Sequence, residues 1–178
     1  RETRENYNRG VKWHVKKSYS YNWSNQIERF VSALQGKRVL DVGCGGGRDI
    51  TEFIKRGLDV DGLDYSRETV EKVRVKFPET DIFEGDVRKM SLPNDEYDGL
   101  WACALLLNIA KDEAILTLEE FRRVLKKEGQ LFISLKEGTG ERMIIDQVGE
   151  RFFSFYSVDE IKNLVEQAGF SVTYTEVI

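Results

Sequence analysis

The residues best suited to chemistry lie in one stretch, residues 39–49, which reads VLDVGCGGGRD. Its glycines allow a sharp turn from a strand into a helix, and they let backbone N–H groups approach a ligand with no Cβ in the way. The dinucleotide fingerprint Gly-x-Gly-x-x-Gly, counted from Gly43, would need glycine where Arg48 stands. Asp41 precedes Gly43 by two residues, and its carboxylate would repel phosphate and attract a cation. We therefore expect a nucleotide-like ligand that carries an amine; the alternative is a tight turn with no ligand.

Two further aspartates follow predicted strands. Asp64 ends the second strand, 21 residues after Gly43, where a carboxylate can accept hydrogen bonds from both hydroxyls of a ribose. The alternative for Asp64 is a solvated acid before a helix cap. Asp86 follows the third strand and Gly85, and it could accept from an adenine amino group, although aspartate is also common in turns.

The elements that must position these residues alternate between strand and helix. Short apolar runs predict strands, and apolar residues at helical spacing predict helices. Ser24 and Ser66 are suited to begin two of the helices, and Gly129 follows the end of the fourth helix. This alternation favours an α/β fold, a doubly wound and mostly parallel sheet whose ligand lies at the carboxyl ends of the strands. The predicted strands are 38–42, 58–63, 82–85, 98–103, 131–135 and 170–178, and the predicted helices are about 24–35, 48–56, 66–77, 111–127 and 157–168.

Length and composition favour one globular domain. The chain has 178 residues, 40% hydrophobic and 33% charged, with a net charge of −4, which excludes a disordered chain and argues against nonspecific nucleic-acid binding. The longest apolar run, residues 100–110, is about half of a membrane span. Two cysteines and one histidine give no zinc cluster, so we expect no metal. We predict a cytoplasmic, single-domain protein, 1–178, with an N-terminal arm and helix over 1–35 and a core over 36–178.

The N-terminal arm has an unusual composition. Residues 1–20 hold six Lys and Arg against two Glu, and residues 1–23 hold five of the chain's 20 aromatic residues. These aromatics could form a lid that excludes water and favours a cationic or planar acceptor; the alternative is that they pack on the sheet edge. His14, the only histidine, could serve as a base or be an ordinary residue of the arm.

Taken together, the motifs resemble those of class I S-adenosylmethionine-dependent methyltransferases of the small-molecule type. That family reads VLDVGCGxGRD, then GxDxS, a GD after the third strand, FDxxW and RVLKxxG, and the match runs from about Gln35 to Phe170. The resemblance implies a Rossmann-like fold with S-adenosylmethionine (SAM) as cofactor and S-adenosylhomocysteine as product.

The resemblance also implies roles for individual residues. In the family, the acid and the glycine turn hold the methionine end, the second acid and the residue after it hold the ribose and flank the adenine, the third pair holds the adenine, and the end of the fourth strand faces the sulfonium. The corresponding residues here are Asp41, Gly43, Cys44 and Gly45, then Asp64 and Tyr65, then Asp86 and Val87, and finally Ala102.

The sequence departs from the family at three places. The family's Leu-Leu-His is Leu106-Leu107-Asn108 here, so no base is assigned at Asn108. The Asn/Asp-Pro-Pro-Tyr motif for exocyclic amines is replaced by residues 101–104, which disfavours adenine or glutamine as acceptor. The family's antiparallel seventh strand has no counterpart before Ile178, and the chain starts without Met, so we expect both ends to be incomplete.

Methyl transfer to a small-molecule acceptor is the predicted function, with no catalytic residue assigned. A base is needed only if the acceptor is protonated at neutral pH. Cys103 lies in an apolar stretch, which favours a buried thiol over a nucleophile. Four residues after the fifth strand could line the acceptor pocket: Lys136, Glu137, Arg142 and Tyr156.

Two other functions remain open. One is an RNA or protein methyltransferase that binds through the basic aromatic arm. The other is a cofactor-binding partner subunit without activity. For the small-molecule enzyme we expect no membrane and no nucleic acid as partner, and a monomer or homodimer.

Overall fold

The computed structural model describes residues 22–146 and 149–178 and contains a five-stranded parallel sheet of order β3-β2-β1-β4-β5. Each neighbouring pair runs parallel, with Asp41 opposite Gly62 in one direction and Trp101 in the other. The doubly wound fold predicted from the alternation is therefore confirmed. The strands are β1 (Arg38–Val42), β2 (Asp59–Asp64), β3 (Ile82–Glu84), β4 (Tyr97–Cys103) and β5 (Leu125–Ser134).

Within the part of the chain that the structure describes, five α-helices cover the two faces of the sheet. They are α1 (Ser24–Ala33), α2 (Arg48–Lys55), α3 (Arg67–Lys76), α4 (Lys111–Val124) and α5 (Val158–Gln167), and a short 3₁₀ helix spans Leu106–Asn108. Ser66 caps α3 as predicted, since its side chain accepts from Thr69 N–H. Ser24 is the first residue of α1 and makes no such cap.

The buried side chains form one large cluster on each face of the sheet. On one face, α1 and α2 contribute Ile27, Phe30 and Phe53 against Trp101. On the other, α4 contributes Leu118 and Phe121, joined by Val165 of α5. Each such side chain contributes about 1.5 to 3 kcal/mol by burial, and the two clusters hold the sheet rigid beneath the turns at its carboxyl edge.

The largest differences from the predicted boundaries lie between α4 and β5, while most other ends differ by one or two residues. The helix predicted over 111–127 is α4, and it ends at Val124. Gly129, which was predicted to follow the helix, lies inside β5. The cause is a shift in register: Leu125 pairs with Tyr97, but Gln130 pairs with Gly99. Residues 126–129 therefore form an irregular start of β5.

The predicted strand over residues 170–178 is wrong, because this segment adopts no regular secondary structure. Phe170 and Val172 do pack on the core, which explains the apolar alternation. Tyr174 lies under the Arg29 guanidinium of α1 at 3.7 Å, and Glu176 accepts from Gln26. A strand needs a hydrogen-bonded neighbour, and within the described residues no strand pairs with this segment.

A second, antiparallel sheet was not predicted. It is a hairpin of β6 (Glu141–Asp146) and β7 (Gly149–Ser154). Phe153 and Phe155 pack with Leu107 of the 3₁₀ helix, and Ser154 donates to the Ile109 carbonyl at 2.6 Å. The hairpin is thereby fixed beside the carboxyl end of β4.

Among residues 22–146 and 149–178, no helix is both long and apolar enough to cross a bilayer. The predicted arm falls almost entirely on residues 1–21, which lie outside the described residues. Only its last aromatic, Trp23, is described, and it packs edge-on against Phe132 of β5 at 6.0 Å.

Candidate functional site

The glycine turn between β1 and α2 adopts a backbone that side chains rarely accept. Gly43, Gly45 and Gly47 have φ values of 70°, 51° and 70°, in the left-handed region where glycine carries no penalty. A Cβ on Gly47 would lie 2.4 Å from the Phe77 ring, whereas a Cβ on Gly45 would meet only the Gly43 carbonyl, at 3.9 Å. Gly47 is therefore a packing glycine, and Gly45 faces open space.

Asp41 is buried at the end of β1 without a matching charge. Asp41 is only 2% exposed, and its Oδ2 has no hydrogen-bond partner among the described residues. Burial first, and the nearby Asp49 carboxylate second, raise the pKa of Asp41 well above its ordinary value, while Arg48 acts in the opposite direction. A buried acceptor without a donor is rare and costly. The site therefore offers a position for a cationic or hydrogen-bond-donating group.

Asp64 is the last residue of β2, as predicted, and closes the turn from the other side. Its carboxylate accepts from Gly45 N–H at 3.0 Å and from Ser66 N–H at 2.8 Å. Burial raises the pKa of Asp64 in spite of these bonds. The Tyr65 backbone also donates to this carboxylate, so of its roughly four acceptor positions about one is left for a ribose hydroxyl. Tyr65, the next residue, is exposed and lies beside the same edge.

Asp86 follows β3, as predicted, but it has a charged partner. Arg88 donates to both of its oxygens, at 2.9 and 2.6 Å, and this pair lowers the pKa of Asp86. The same guanidinium holds Glu113 of α4 at 2.8 Å. The loop that carries Asp86 and the buried Val87 is therefore tied to α4 by Arg88.

A charged network beneath Asp41 was missed in the sequence. Arg48 donates to both oxygens of Asp49 at 2.6 Å, and the Trp101 indole donates to Asp49 Oδ2 at 2.9 Å. Both members of the ion pair are largely buried. The Arg-Asp dipeptide was visible, but the contact with Trp101 spans 52 positions and depends on sheet order.

The end of β4 forms the floor of the site. Ala102, predicted to face the ligand, lies within β4 and is fully buried. Cys103 contacts Arg48 at 3.3 Å and Ser134 at 3.5 Å, and burial raises the pKa of its thiol to about 11. The thiol is therefore protonated at neutral pH and is a poor nucleophile. Ala104, which follows, has a φ of 55°, a strained backbone for a residue with a side chain.

The four residues predicted for an acceptor pocket come together around the hairpin. Glu137 forms a bridge with Tyr156, Arg142 lies over Phe155 at 4.1 Å, and Lys136 lies over Phe153 at 4.6 Å. The hairpin packs on Leu107 of the 3₁₀ helix that follows β4, and the role of these four residues in an acceptor pocket stays a prediction. Asn108 of that helix donates to the Ala104 carbonyl at 3.2 Å, which is a structural contact.

Within the described parts of the chain, no group of three His, Cys, Asp or Glu side chains is arranged to hold a metal ion. His14, the sequence's only histidine, lies outside the described residues. The prediction that it could act as a base therefore stays a prediction.

Comparison with known proteins gives a consistent set of relatives. A family profile described as a methyltransferase domain matches residues 39–129, just over half of the chain. A demethylmenaquinone methyltransferase of Renibacterium salmoninarum is 30% identical over 112 residues, 63% of this chain and 46% of that protein. A ubiquinone biosynthesis O-methyltransferase of Dechloromonas aromatica is 29% identical over 132 residues, 71% of this chain and 55% of that protein. The chain thus spans about half the length of these curated relatives.

Among solved structures, a SAM-dependent methyltransferase from Methanosarcina mazei superimposes with a TM-score of 0.75 at 18% identity. The superposition covers 81% of this chain and 84% of that one. At this level of identity the likeness establishes a shared fold.

Proposed function

Because the chain belongs to the methyltransferase domain family, we propose that it transfers a methyl group from SAM to a small-molecule acceptor. The class I family, its Rossmann-like fold and its cofactor, all predicted from the motifs, are confirmed. The residues that hold the cofactor and the identity of the acceptor are the proposed part.

One observation supports the cofactor assignment: Asp41 Oδ2 is buried with no partner among the described residues, at the turn where the methionine end would lie. The α-ammonium group of a methionine moiety would supply the missing charge and donor. The open space in front of Gly45 leaves room for the ligand's backbone-like atoms to approach Gly43, Cys44 and Gly45. The residues present therefore fit an amino-acid ligand and do not fit a pyrophosphate.

The nucleoside part would lie along the next two strands. Asp64 would accept from a ribose hydroxyl at its remaining acceptor position, and the exposed Tyr65 ring lies next to it. Asp86 and Val87 would meet the adenine, with Arg88 fixing the Asp86 carboxylate. Ala102 would present its backbone to the sulfonium end.

When bound, the cofactor supplies a methyl group that is already activated on its sulfonium. What the chain must add is position: an acceptor atom held in line at about 3 Å gains a large effective molarity. The floor at Ala102 and Cys103 and the outer wall at the hairpin are the surfaces that would orient it. Since the Cys103 thiol is protonated at neutral pH, it would act as a wall and not as a nucleophile.

The names of the curated relatives suggest where to look for the acceptor. Both act, by name, in demethylmenaquinone or ubiquinone chemistry, so quinone precursors are the first small molecules to test. The predicted lid over residues 1–23, which holds five aromatic residues, would give a planar acceptor its apolar surface.

The two alternatives from the sequence make different predictions. An RNA acceptor would bind through the basic arm, with an affinity that falls steeply as salt rises; a small neutral acceptor would show no such slope. A partner subunit without activity would bind the cofactor but methylate nothing in a metabolite pool. The net charge of −4 favours the small-molecule acceptor, and we expect a monomer or homodimer without nucleic acid.

The cofactor assignment is tested by titration calorimetry on the full chain with S-adenosylhomocysteine and, in parallel, with NAD. We expect S-adenosylhomocysteine to bind and NAD not to bind, because a carboxylate faces the glycine turn. Tighter binding of NAD would overturn the proposal.

The acceptor is tested by incubating the full chain with labelled SAM and a set of quinone precursors, then with a metabolite extract. Deleting residues 1–21 should reduce turnover on the order of a hundredfold if they form the lid, since a misplacement of about 1 Å has that effect. Cofactor affinity should change little, because the glycine turn and Asp64 belong to the sheet. Unchanged methyl transfer after the deletion would place the acceptor elsewhere.

A further inference from the structure

The Arg48 guanidinium forms a two-pronged ion pair with the neighbouring Asp49. Its Nε and one terminal nitrogen donate to the two oxygens of Asp49, both at 2.6 Å. Asp41 lies opposite Trp101 in the sheet, and the Trp101 indole binds the same Asp49 that pairs with Arg48, so the ion pair lies close to Asp41. Asp41 Oδ2 nevertheless has no hydrogen-bond partner in the described chain. A guanidinium has five N–H donors and can bind more than one carboxylate.

The pairing is decided by what holds Asp49. Asp49 lies in the first turn of α2, where the helix dipole favours a negative charge. The Trp101 indole, fully buried in β4, donates to Asp49 Oδ2 at 2.9 Å. Asp49 is therefore fixed on one side by Trp101 and presents both oxygens to Arg48 in the two-pronged geometry that guanidinium prefers.

We propose that Asp49, held by Trp101, is a positioning residue that keeps Arg48 away from Asp41, so that Asp41 stays available for the ammonium group of the cofactor. This inference rests on the proposed function, because it concerns how the same cofactor is held. In this proposal Asp49 acts through Arg48 and is assigned no contact with the cofactor.

The proposal separates Arg48 from a direct ligand-binding role. If Arg48 bound the ligand's carboxylate, its removal would weaken binding whatever residue stood at 49. If Arg48 is a competitor held in check, its removal should matter little on its own, and it should restore binding when Asp49 is neutralised.

The test is a double-mutant cycle in the full chain, with S-adenosylhomocysteine affinity measured by calorimetry. Asp49→Asn should weaken binding by about tenfold or more, because Arg48 then pairs with Asp41. Arg48→Met should change affinity by less than about threefold, and Asp49→Asn with Arg48→Met should bind within about threefold of Arg48→Met. An Asp49→Asn variant that binds like the unaltered protein, or a double variant as weak as Asp49→Asn, overturns the inference.

A second measurement does not depend on how much of a variant is folded. It is the ratio of affinities for S-adenosylhomocysteine and for its analogue without the α-amino group. This ratio should be large in the unaltered protein and should fall towards about 1 in Asp49→Asn, since Asp41 is then occupied by Arg48. A ratio that stays large in Asp49→Asn would contradict the inference.

If Asp49→Asn does not fold, Trp101→Phe is the alternative variant. It keeps the Asp41 and Asp49 carboxylates and an aromatic ring, and it removes the indole N–H that donates to Asp49. The ratio should then fall partway, and an unchanged ratio in folded Trp101→Phe would overturn the inference. If the unaltered protein binds neither compound, the proposed function itself is wrong, and the two failures are thus distinguished.

Discussion

Asp41 and Asp61 lie on neighbouring strands one register position apart, because Asp61 is opposite Leu40 and Asp41 is opposite Gly62, and each is only 2% exposed. Their side chains therefore lie on opposite faces of the sheet, and that of Asp61 is bound by residues at the amino end. Asp61 has partners on two sides: Tyr97 donates to it at 2.7 Å and Arg38 at 2.9 Å. Arg38 also holds Asp59 at 2.8 Å, so the amino end of the sheet is a closed network. Asp41 Oδ2, at the carboxyl end, has no partner in the described chain.

The difference between the two ends shows how burial alone misleads. A buried acid with donors on every side contributes to the fold, because removing a partner would leave an uncompensated charge. A buried acid without donors costs the fold about 1 to 3 kcal/mol, and the sheet tolerates that cost where a ligand can supply the donor. We therefore expect the ligand at the carboxyl end of the sheet, where the buried Asp41 lacks a donor within the described residues.

The largest effect is expected at the amino end, from Arg38→Met. Removing the guanidinium leaves Tyr97 as the remaining donor to the buried Asp61 within the described residues, which should lower the free energy of unfolding by about 2 to 4 kcal/mol. Urea unfolding would measure it, with Arg67→Met, which removes an exposed helix ion pair, as the control that should change little. The folded variant should keep its affinity for S-adenosylhomocysteine; a loss there would break the division between the two ends.

The next effect concerns Asp64 and Asp61, three residues apart on β2. Asp64→Ala should weaken cofactor binding by about 1.5 to 3 kcal/mol, the scale of charge-assisted hydrogen bonds. Asp61→Ala should mainly lower stability, because its partners belong to the protein. Calorimetry on both variants decides the point: equal losses of cofactor affinity would show that the ribose assignment is wrong.

A smaller effect, of opposite sign, is expected for Asp41→Asn in the ligand-free protein. The pKa of Asp41 in the fold lies well above its ordinary 3.8, so the folded state prefers the protonated acid. That contribution is complete below about pH 4 and is lost as pH rises through the raised pKa. Asparagine avoids this loss, so the variant should be more stable by about 1 to 2 kcal/mol at pH 8 and no more stable near pH 4.

Thermal unfolding across that pH range would measure the difference. Asp64 has the same direction of shift, but it is present in both proteins and cancels. The same variant should bind S-adenosylhomocysteine more weakly, the usual opposition of stability and function at a binding site. A stability difference independent of pH would show that Asp41 is not the titrating group.

Short sequence patterns were enough to predict those parts of the site that depend on neighbouring residues in the chain. The glycine turn, Asp64 at a strand end and Ser66 as a cap each depend on a few neighbouring residues, and the structure places them as predicted. The Asp49–Trp101 and Asp61–Tyr97 contacts span 52 and 36 positions. They could not be predicted, because they depend on strand order and register, which no local pattern contains.

The two errors in the fold have the same origin. The alternation of Phe170, Val172 and Tyr174 is real, and it reflects packing on the core and on Arg29; without a paired neighbour it forms no strand. The hairpin over 141–154 has only short apolar runs around Gly149, whose φ of 122° marks the turn. In both segments the presence of a strand depends on a hydrogen-bonded neighbouring strand, and the periodicity of apolar residues does not show whether one exists.

The smallest effect is expected where the amino-end network reaches solvent. Lys126 donates to Asp98 at 2.9 Å, but the lysine side chain is 46% exposed, so the pair is screened. Asp98 also keeps the Arg38 backbone N–H at 3.0 Å. Lys126→Met should therefore lower stability by only about 0.2 to 0.8 kcal/mol, and the difference should shrink in 1 M salt, where the screening length is about 3 Å. Lys127→Met is the matched control, because Lys127 is equally placed on the chain and has no ion pair within the described residues. If Lys126→Met lowered the free energy of unfolding as much as Arg38→Met, solvent exposure would not determine how much these ion pairs contribute. The difference in burial between Asp98 and Asp61 would then not explain the stability of the network.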